Sequence, residues 1–260
     1  MELLLYLLLG AAAGVLAGLF GVGGGMIIVP VLVLSFSAQG FDPLVLTHLA
    51  VGTSLATIVF TSVNSVVEHH RKGAVRWPVF AWMTLGIVLG AGLGSLTAAS
   101  IQGPMLQRII GVFAICVSIQ MALDLRPKAS STVPGKVGLG AAGGLIGWAS
   151  AIFGIGGGSL SVPFLVWRSL SMQQAVATSA ACGLPIAAVG ALSFMWLGRD
   201  NAGLPAWSLG YVYLPALAGV AGTSMFFARF GARLAHRLSP RVLKRLFALL
   251  LFGVGLNFLI

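Results

Sequence analysis

The sequence predicts an all-α polytopic membrane protein of two inverted repeats, each a glycine-broken re-entrant helix pair followed by three spanning helices, and three observations carry that prediction. First, 58% of the 260 residues are hydrophobic and 8% are charged, too few charges to coat a soluble globule of this length. Second, the run FGVGGGMIIVP at residues 20–30 returns as FGIGGGSLSVP at residues 153–163, with seven of eleven positions identical. Third, loops at equivalent places in the two halves carry opposite charge character, as set out below. The division that follows is a first transmembrane repeat at 1–123, a cytoplasmic linker at 124–136 and a second transmembrane repeat at 137–260.

In chain order, residues 2–20 are apolar and carry Gly10, Gly14 and Gly18 at i+4 spacing, a small-residue seam suited to close helix packing. MELLLYLLLG lacks the Lys or Arg of a signal-peptide n-region, so it is expected to be retained. Four glycines in six residues follow, each costing about 1 kcal/mol relative to Ala in a plain helix, so they mark a break rather than a span. Residues 26–37 are long enough to cross about half of a roughly 30 Å core and read as a half-helix. Residues 44–68 are long enough to span. They carry Thr47, Ser54, Thr57, Thr61, Asn64 and Glu68 mostly three or four apart, one polar stripe whose hydroxyls either bond back to their own helix or line a cavity.

The stretch EHHRKGAVRW at 68–77 is basic and precedes a spanning run at 78–100, which places it on the cytoplasmic side. Residues 101–104 form an uncharged turn, and 105–123 span back. DLRPKASSTVPGK at 124–136 has the Pro, Ser and Lys content of an exposed linker. The second half repeats the plan: 137–153 apolar, a break at 154–158, a short piece to residue 167, then 171–197. The register extends beyond the glycines, since AVGTS at 50–54 matches AVATS at 175–179. Pro185, inside the last of these runs, frees the carbonyl of Ala181 by kinking the helix or by leaving it to a ligand or water. Cys116 and Cys182 lie in apolar runs and read as small core residues.

Charge decides the arrangement of the halves. The basic loop at 68–77 has as its counterpart GRDNAGLP at 198–205, with one Arg and one Asp. The uncharged turn at 101–104 corresponds to the stretch 229–245, which holds Arg229, Arg233, Arg237, Arg241, Lys244 and Arg245. Equivalent loops therefore face opposite sides, and each half crosses the membrane an odd number of times. Three crossings per half result if each broken segment is re-entrant, which leaves 13 of the 15 Lys and Arg cytoplasmic and both termini outside. Residues 2–20 would be about 28 Å long as a helix, however, enough to span, and in that case an eight-crossing arrangement returns.

Each break sets free backbone N–H groups, and the positive end of a following half-helix, near the bilayer midplane, where they form an anion site. The expected substrate donors are Gly23, Gly24, Gly25, Gly156, Gly157 and Gly158, with Ser159, Thr53, Ser54, Asn64, Thr178 and Ser179 adding side chains. Tight helix packing is the competing account of the glycines. His48 is the one candidate for a proton relay, or else a hydrogen-bonded structural residue. No catalytic pair is visible, because Glu2, Asp42, Glu68, Asp124 and Asp200 all lie near helix ends, and His69 and His70 sit together in the basic loop. The sequence is thus not expected to be an enzyme, and calls for no metal or cofactor. The partners expected are a small anion and the lipid bilayer, without nucleic acid; a homo-oligomer is left open.

The doubled F-G-x-G-G-G with Pro five residues on, the A-V-x-T-S pair with His48 before its first copy, and the basic HHRKGAVRW stretch resemble the TauE/SafE family of sulfite exporters and related anion permeases over nearly the whole chain. That resemblance implies a multi-pass carrier of the bacterial inner membrane for small sulfur-containing oxyanions or organosulfonates, sulfite and sulfoacetate among them, without enzymatic activity. Export without obligatory proton or sodium coupling is the expected direction; proton-coupled uptake, or a non-transporting assembly or sensor protein, are the alternatives.

Overall fold

The computed structural model describes residues 2–20, 25–123, 135–235 and 240–260. Ten helices make up the described residues: α1 Glu2–Phe20, α2 Gly25–Ala38, α3 Pro43–Arg71, α4 Trp77–Ser100, α5 Gly103–Ala122, α6 Lys136–Phe153, α7 Gly158–Trp167, α8 Met172–Leu197, α9 Leu214–Ala235 and α10 Pro240–Leu259. A two-residue antiparallel pair, β1 Ser208–Leu209 with β2 Val212–Tyr213, lies between α8 and α9. The all-α expectation holds, and five helices, α3, α4, α5, α6 and α8, are long and apolar enough to cross a membrane by length and composition.

Local chemistry starts the two central helices. Asp42 accepts the Leu44 N–H at 2.9 Å and Pro43 supplies a preset φ at the first position of α3. Ser171 likewise accepts the Gln174 N–H at the start of α8. These two helices cross antiparallel at the centre: Gly52 lies by Phe194, Leu55 by Gly190 and Ser62 by Gly183. Residues 45–58 of α3 are buried without a gap, the core against which the rest is assembled.

Two glycine seams bring outer helices together. A methyl group at Gly86, Gly90 or Gly94 of α4 would collide with the carbonyl of Gly140, Gly144 or Trp148 of α6. The order is the same along both helices, so α4 and α6 run parallel with their backbones in direct contact. Gly10 and Gly14 of α1 meet Val220 and Ser224 of α9 in the same parallel sense, so the seam read from the i+4 glycines has α9 as its partner. Where lipid tails are as apolar as Leu, backbone approach of this kind is what helix association rests on. Helices α5 and α10 are antiparallel, with the Ser118 hydroxyl donating to the Ala248 carbonyl at 2.7 Å and Gly111 opposite Gly255. The pairing is symmetric under exchange of the halves. By the repeat, α1 corresponds to α6 and α9 to α4, so the α1–α9 and α4–α6 contacts are equivalents, while α3–α8 and α5–α10 map onto themselves.

Three details differ from the sequence expectation. Helix α3 continues into the basic stretch as far as Arg71, with Glu68 paired to Lys72 at 2.9 Å and the left-handed Gly73 just beyond its end. Arg229 and Arg233 lie within α9, and Arg241, Lys244 and Arg245 within α10, rather than in a long basic loop. Cys116 is exposed on α5, whereas Cys182 is buried. Pro185 lies inside α8, where the sequence placed it.

Candidate functional site

The second glycine break is built by two left-handed glycines, and each has a distinct task. Gly154 (φ 65°, ψ 31°) ends α6, and the Ile155 N–H returns to the Ser150 carbonyl at 3.0 Å, a closure that needs a residue free of Cβ hindrance. Gly157 (φ 74°, ψ −16°) then begins α7, its carbonyl accepting the N–H groups of Leu160 at 3.1 Å and Ser161 at 2.7 Å. Between these points the N–H groups of Gly156, Gly157, Gly158 and Ser159 meet no backbone acceptor among the described residues. Four donors at the positive end of a helix are the chemistry of an anion site.

This break meets the edge of the first one. Gly25, the first residue of α2, is buried so closely that a methyl group there would lie 2.6 Å from the Gly154 carbonyl oxygen and 2.8 Å from the Ile155 Cα. The Ser54 hydroxyl donates to the same Gly154 carbonyl at 2.9 Å, and Ile58 packs against Gly156. From the other side, Gly183 of α8 faces the Gly156 carbonyl and Ile186 faces Gly157. Two motifs 129 residues apart in the numbering, Gly25 and Gly154, are thus in backbone contact, clasped between α3 and α8. Gly23 and Gly24 lie outside the described residues.

The remaining side chains named from the sequence separate into different places. Thr53 accepts the Tyr213 N–H at 2.9 Å and Thr178 accepts the Arg76 N–H at 3.0 Å. Tyr213 and Arg76 are the residues immediately before α9 and α4, so the paired threonines hold the starts of equivalent helices, each in the opposite half. Ser179 is buried and its hydroxyl has no partner, as is true of the Ser159 hydroxyl. Asn64 is exposed on α3, beyond the buried stretch. Thr57 and Thr61 bond back to the Thr53 and Ile58 carbonyls of their own helix.

His48 is buried with its Nε2 3.0 Å from both the Ala98 and Ile101 carbonyls, which sets Nε2 as the protonated nitrogen donating to the α4–α5 turn. Its ring stacks on Tyr211 at a centroid distance of 5.0 Å. Tyr211 belongs to the α8–α9 connection, which also sets Tyr213 among Tyr6, Phe36 and Phe41. An aromatic plug therefore covers one end of the α3–α8 crossing. The sequence offered no periodic signal for it.

Two further hydroxyls belong to the second break and went unnoticed in the sequence. Ser150, in the last turn of α6, and Ser161, in the first turns of α7, are fully buried and without hydrogen-bond partners. A methyl group at Gly157 would lie 3.3 Å from the Ser161 Oγ and 3.9 Å from the Ser150 Oγ. Ser161 sits inside the repeated motif where the first copy has Ile28, and that polar-for-apolar exchange was the available clue. Electrostatically the interior is neutral: among the described residues the buried polar side chains are serines, threonines and His48. No group of three or more His, Cys, Asp or Glu able to hold a metal is present among the described residues.

Comparison with known proteins matches residues 6–258 to the model of a family described as sulfite exporter TauE/SafE. The chain is 38% identical to a probable membrane transporter protein of Haemophilus influenzae over 98% of this chain and 97% of that protein. It is 29% identical to a probable membrane transporter protein of Methanocaldococcus jannaschii, covering 98% and 95% of the two chains. The probable membrane transporter protein YunE of Bacillus subtilis is 26% identical over 98% and 96%. No solved structure matches.

Proposed function

We propose, from the premise that this chain belongs to the TauE/SafE sulfite exporter family of membrane transporters, that it exports small sulfur-containing anions such as sulfite, sulfoacetate or other organosulfonates across the bacterial inner membrane. The observation that carries this reading is the second glycine break, whose four N–H groups lack backbone acceptors at the start of α7, in contact with α2, α3 and α8. Gly156, Gly157, Gly158 and Ser159 are the donors on this reading, with Gly23, Gly24 and Gly25 completing the site from the first half. Thr53 and Thr178 are assigned instead to holding α9 and α4, since each hydroxyl oxygen already accepts a main-chain N–H.

The architecture that suits this function is an inverted repeat with re-entrant α1–α2 and α6–α7 hairpins. Its support is the contact of Gly25 with Gly154, which brings the start of α2 to the end of α6. The Tyr6 hydroxyl also donates to Gln39 at 2.8 Å, which ties the start of α1 to the end of α2 as in a hairpin. The antiparallel α3–α8 and α5–α10 crossings, set beside parallel α4–α6 and α1–α9, are the pattern that two oppositely inserted halves produce.

Outward movement of each negative charge gains about 2.3 kcal/mol per 100 mV when the cell interior is negative, so efflux needs no coupled cation. Proton-coupled uptake through His48 is disfavoured because its Nε2 hydrogen is committed to two carbonyls and its ring is stacked on Tyr211. The test is flux of sulfite, thiosulfate, sulfate and small sulfonates in proteoliposomes under an imposed potential and, separately, an imposed pH gradient. The expected outcome is potential-driven flux. Flux that follows only the pH gradient and is lost in His48→Ala would replace it with proton-coupled transport, and no flux of any anion would favour a non-transporting role.

A further inference from the structure

The Ser150 and Ser161 hydroxyls mark a finer property of the site. A buried polar group with no partner is costly, and native structures leave few of them. Here two, one before and one after Gly157 in the chain, are fully buried, each within 4 Å of the point where a Gly157 side chain would begin. Neither bonds back to its own helix, as the hydroxyls of Thr57, Thr84, Ser95 and Thr223 do. They adjoin the four acceptor-free N–H groups of residues 156–159. Gly156, Gly158 and Ser159 are half-buried, so the donors extend from an accessible edge inward to Gly157.

All of these donors are neutral. Among the described residues no Lys, Arg, Asp or Glu is buried, and the one buried histidine, His48, is held at the α4–α5 turn. A site of hydroxyls, amides and one helix terminus compensates charge with dipoles only. The cost of removing an ion from water grows as the square of its charge, whereas stabilisation by fixed dipoles grows in proportion to the charge. Doubling the charge therefore doubles the gain and quadruples the penalty.

We propose that Ser150 and Ser161 are substrate-binding residues of the second break, and that the site selects singly charged oxyanions, such as simple monosulfonates and hydrogen sulfite, against dianions such as sulfate and sulfoacetate, which narrows the substrates named above. This rests on the anion-transport reading above. The hydroxyls donate to oxygens of the bound anion, beside the N–H groups of Gly157, Gly158 and Ser159. Ser159 supplies a third hydroxyl, also without a partner.

The experiment is a binding titration of the purified full-length chain in lipid nanodiscs, with methanesulfonate as the monoanion and sulfate as the dianion. It is run on the wild type and on Ser150→Ala, Ser161→Ala and the double variant, alongside thermal unfolding without ligand. Expected are methanesulfonate binding at least tenfold tighter than sulfate, and a loss of about tenfold or more in methanesulfonate affinity for each Ala variant. Unfolding temperatures without ligand should be unchanged or raised, because Ala removes an unpartnered hydroxyl. Sulfate binding as tight as methanesulfonate would overturn the charge selection, and unchanged methanesulfonate affinity in the double variant would overturn the serine assignment; either leaves the anion-transport reading standing. Binding of neither anion to folded wild type would instead overturn that reading, and this one with it.

Discussion

Thr53 and Thr178 occupy the same place in the A-V-x-T-S pair and do the same work, each accepting the N–H of the residue that opens a helix of the other half. Replacing either by Val keeps the volume but leaves a main-chain N–H without its acceptor, at a cost of about 1–3 kcal/mol. Thr53→Val and Thr178→Val should therefore each lower the unfolding temperature in detergent, whatever happens to transport. Ser in place of Thr should restore it. Gly157 is a second case where position decides the outcome. Its left-handed φ of 74° and the nearby Ile186, 2.6 Å from an added methyl group, make Gly157→Ala destabilising by about 1–3 kcal/mol. A loss of transport in that variant reports on folding as well as on anion contact, so transport has to be compared at matched amounts of folded protein.

At the scale of the helix, the glycines of α4 are not equivalent although they stand two residues apart. Gly90 faces the Gly144 carbonyl of α6, while Gly92 faces open space. Gly90→Ala must push α4 and α6 apart, at about 1–3 kcal/mol for an overpacked contact. Gly92→Ala meets nothing, and should add up to about 1 kcal/mol of helix propensity. Opposite shifts in unfolding temperature for the pair are the expected result, measured on the same preparation of membrane-inserted protein. Equal shifts would mean that α4 and α6 do not touch through Gly90.

For the molecule as a whole, the testable quantity is which side each loop faces. The swapped charge of equivalent loops and the crossing senses of the helices both favour halves inserted in opposite directions. Single cysteines at Ala202, in the α8–α9 connection, and at Ser130, in the linker, should then label with an impermeant reagent from opposite sides, with Ala202 outside. Labelling of both from one side would remove the inverted arrangement.

Composition sufficed for the membrane class, because 8% charged residues cannot solvate a chain of 260 residues in any packing. The repeat, the second break at glycine, most helix limits and the α1 seam were also legible, since periodic small residues and glycine clusters act within a few residues of themselves. The partners were not. That α1 pairs with α9 and α4 with α6, that Gly25 reaches Gly154, and that Thr53 holds Tyr213 all join residues at least 54 positions apart, and nothing local in Gly86 names Gly140. The hydroxyls divide in the same way. Ser54, Thr53 and Ser150 are alike as residues in apolar helices, yet one binds the Gly154 carbonyl, one a helix start and one nothing, because the neighbouring helix decides what a buried hydroxyl meets.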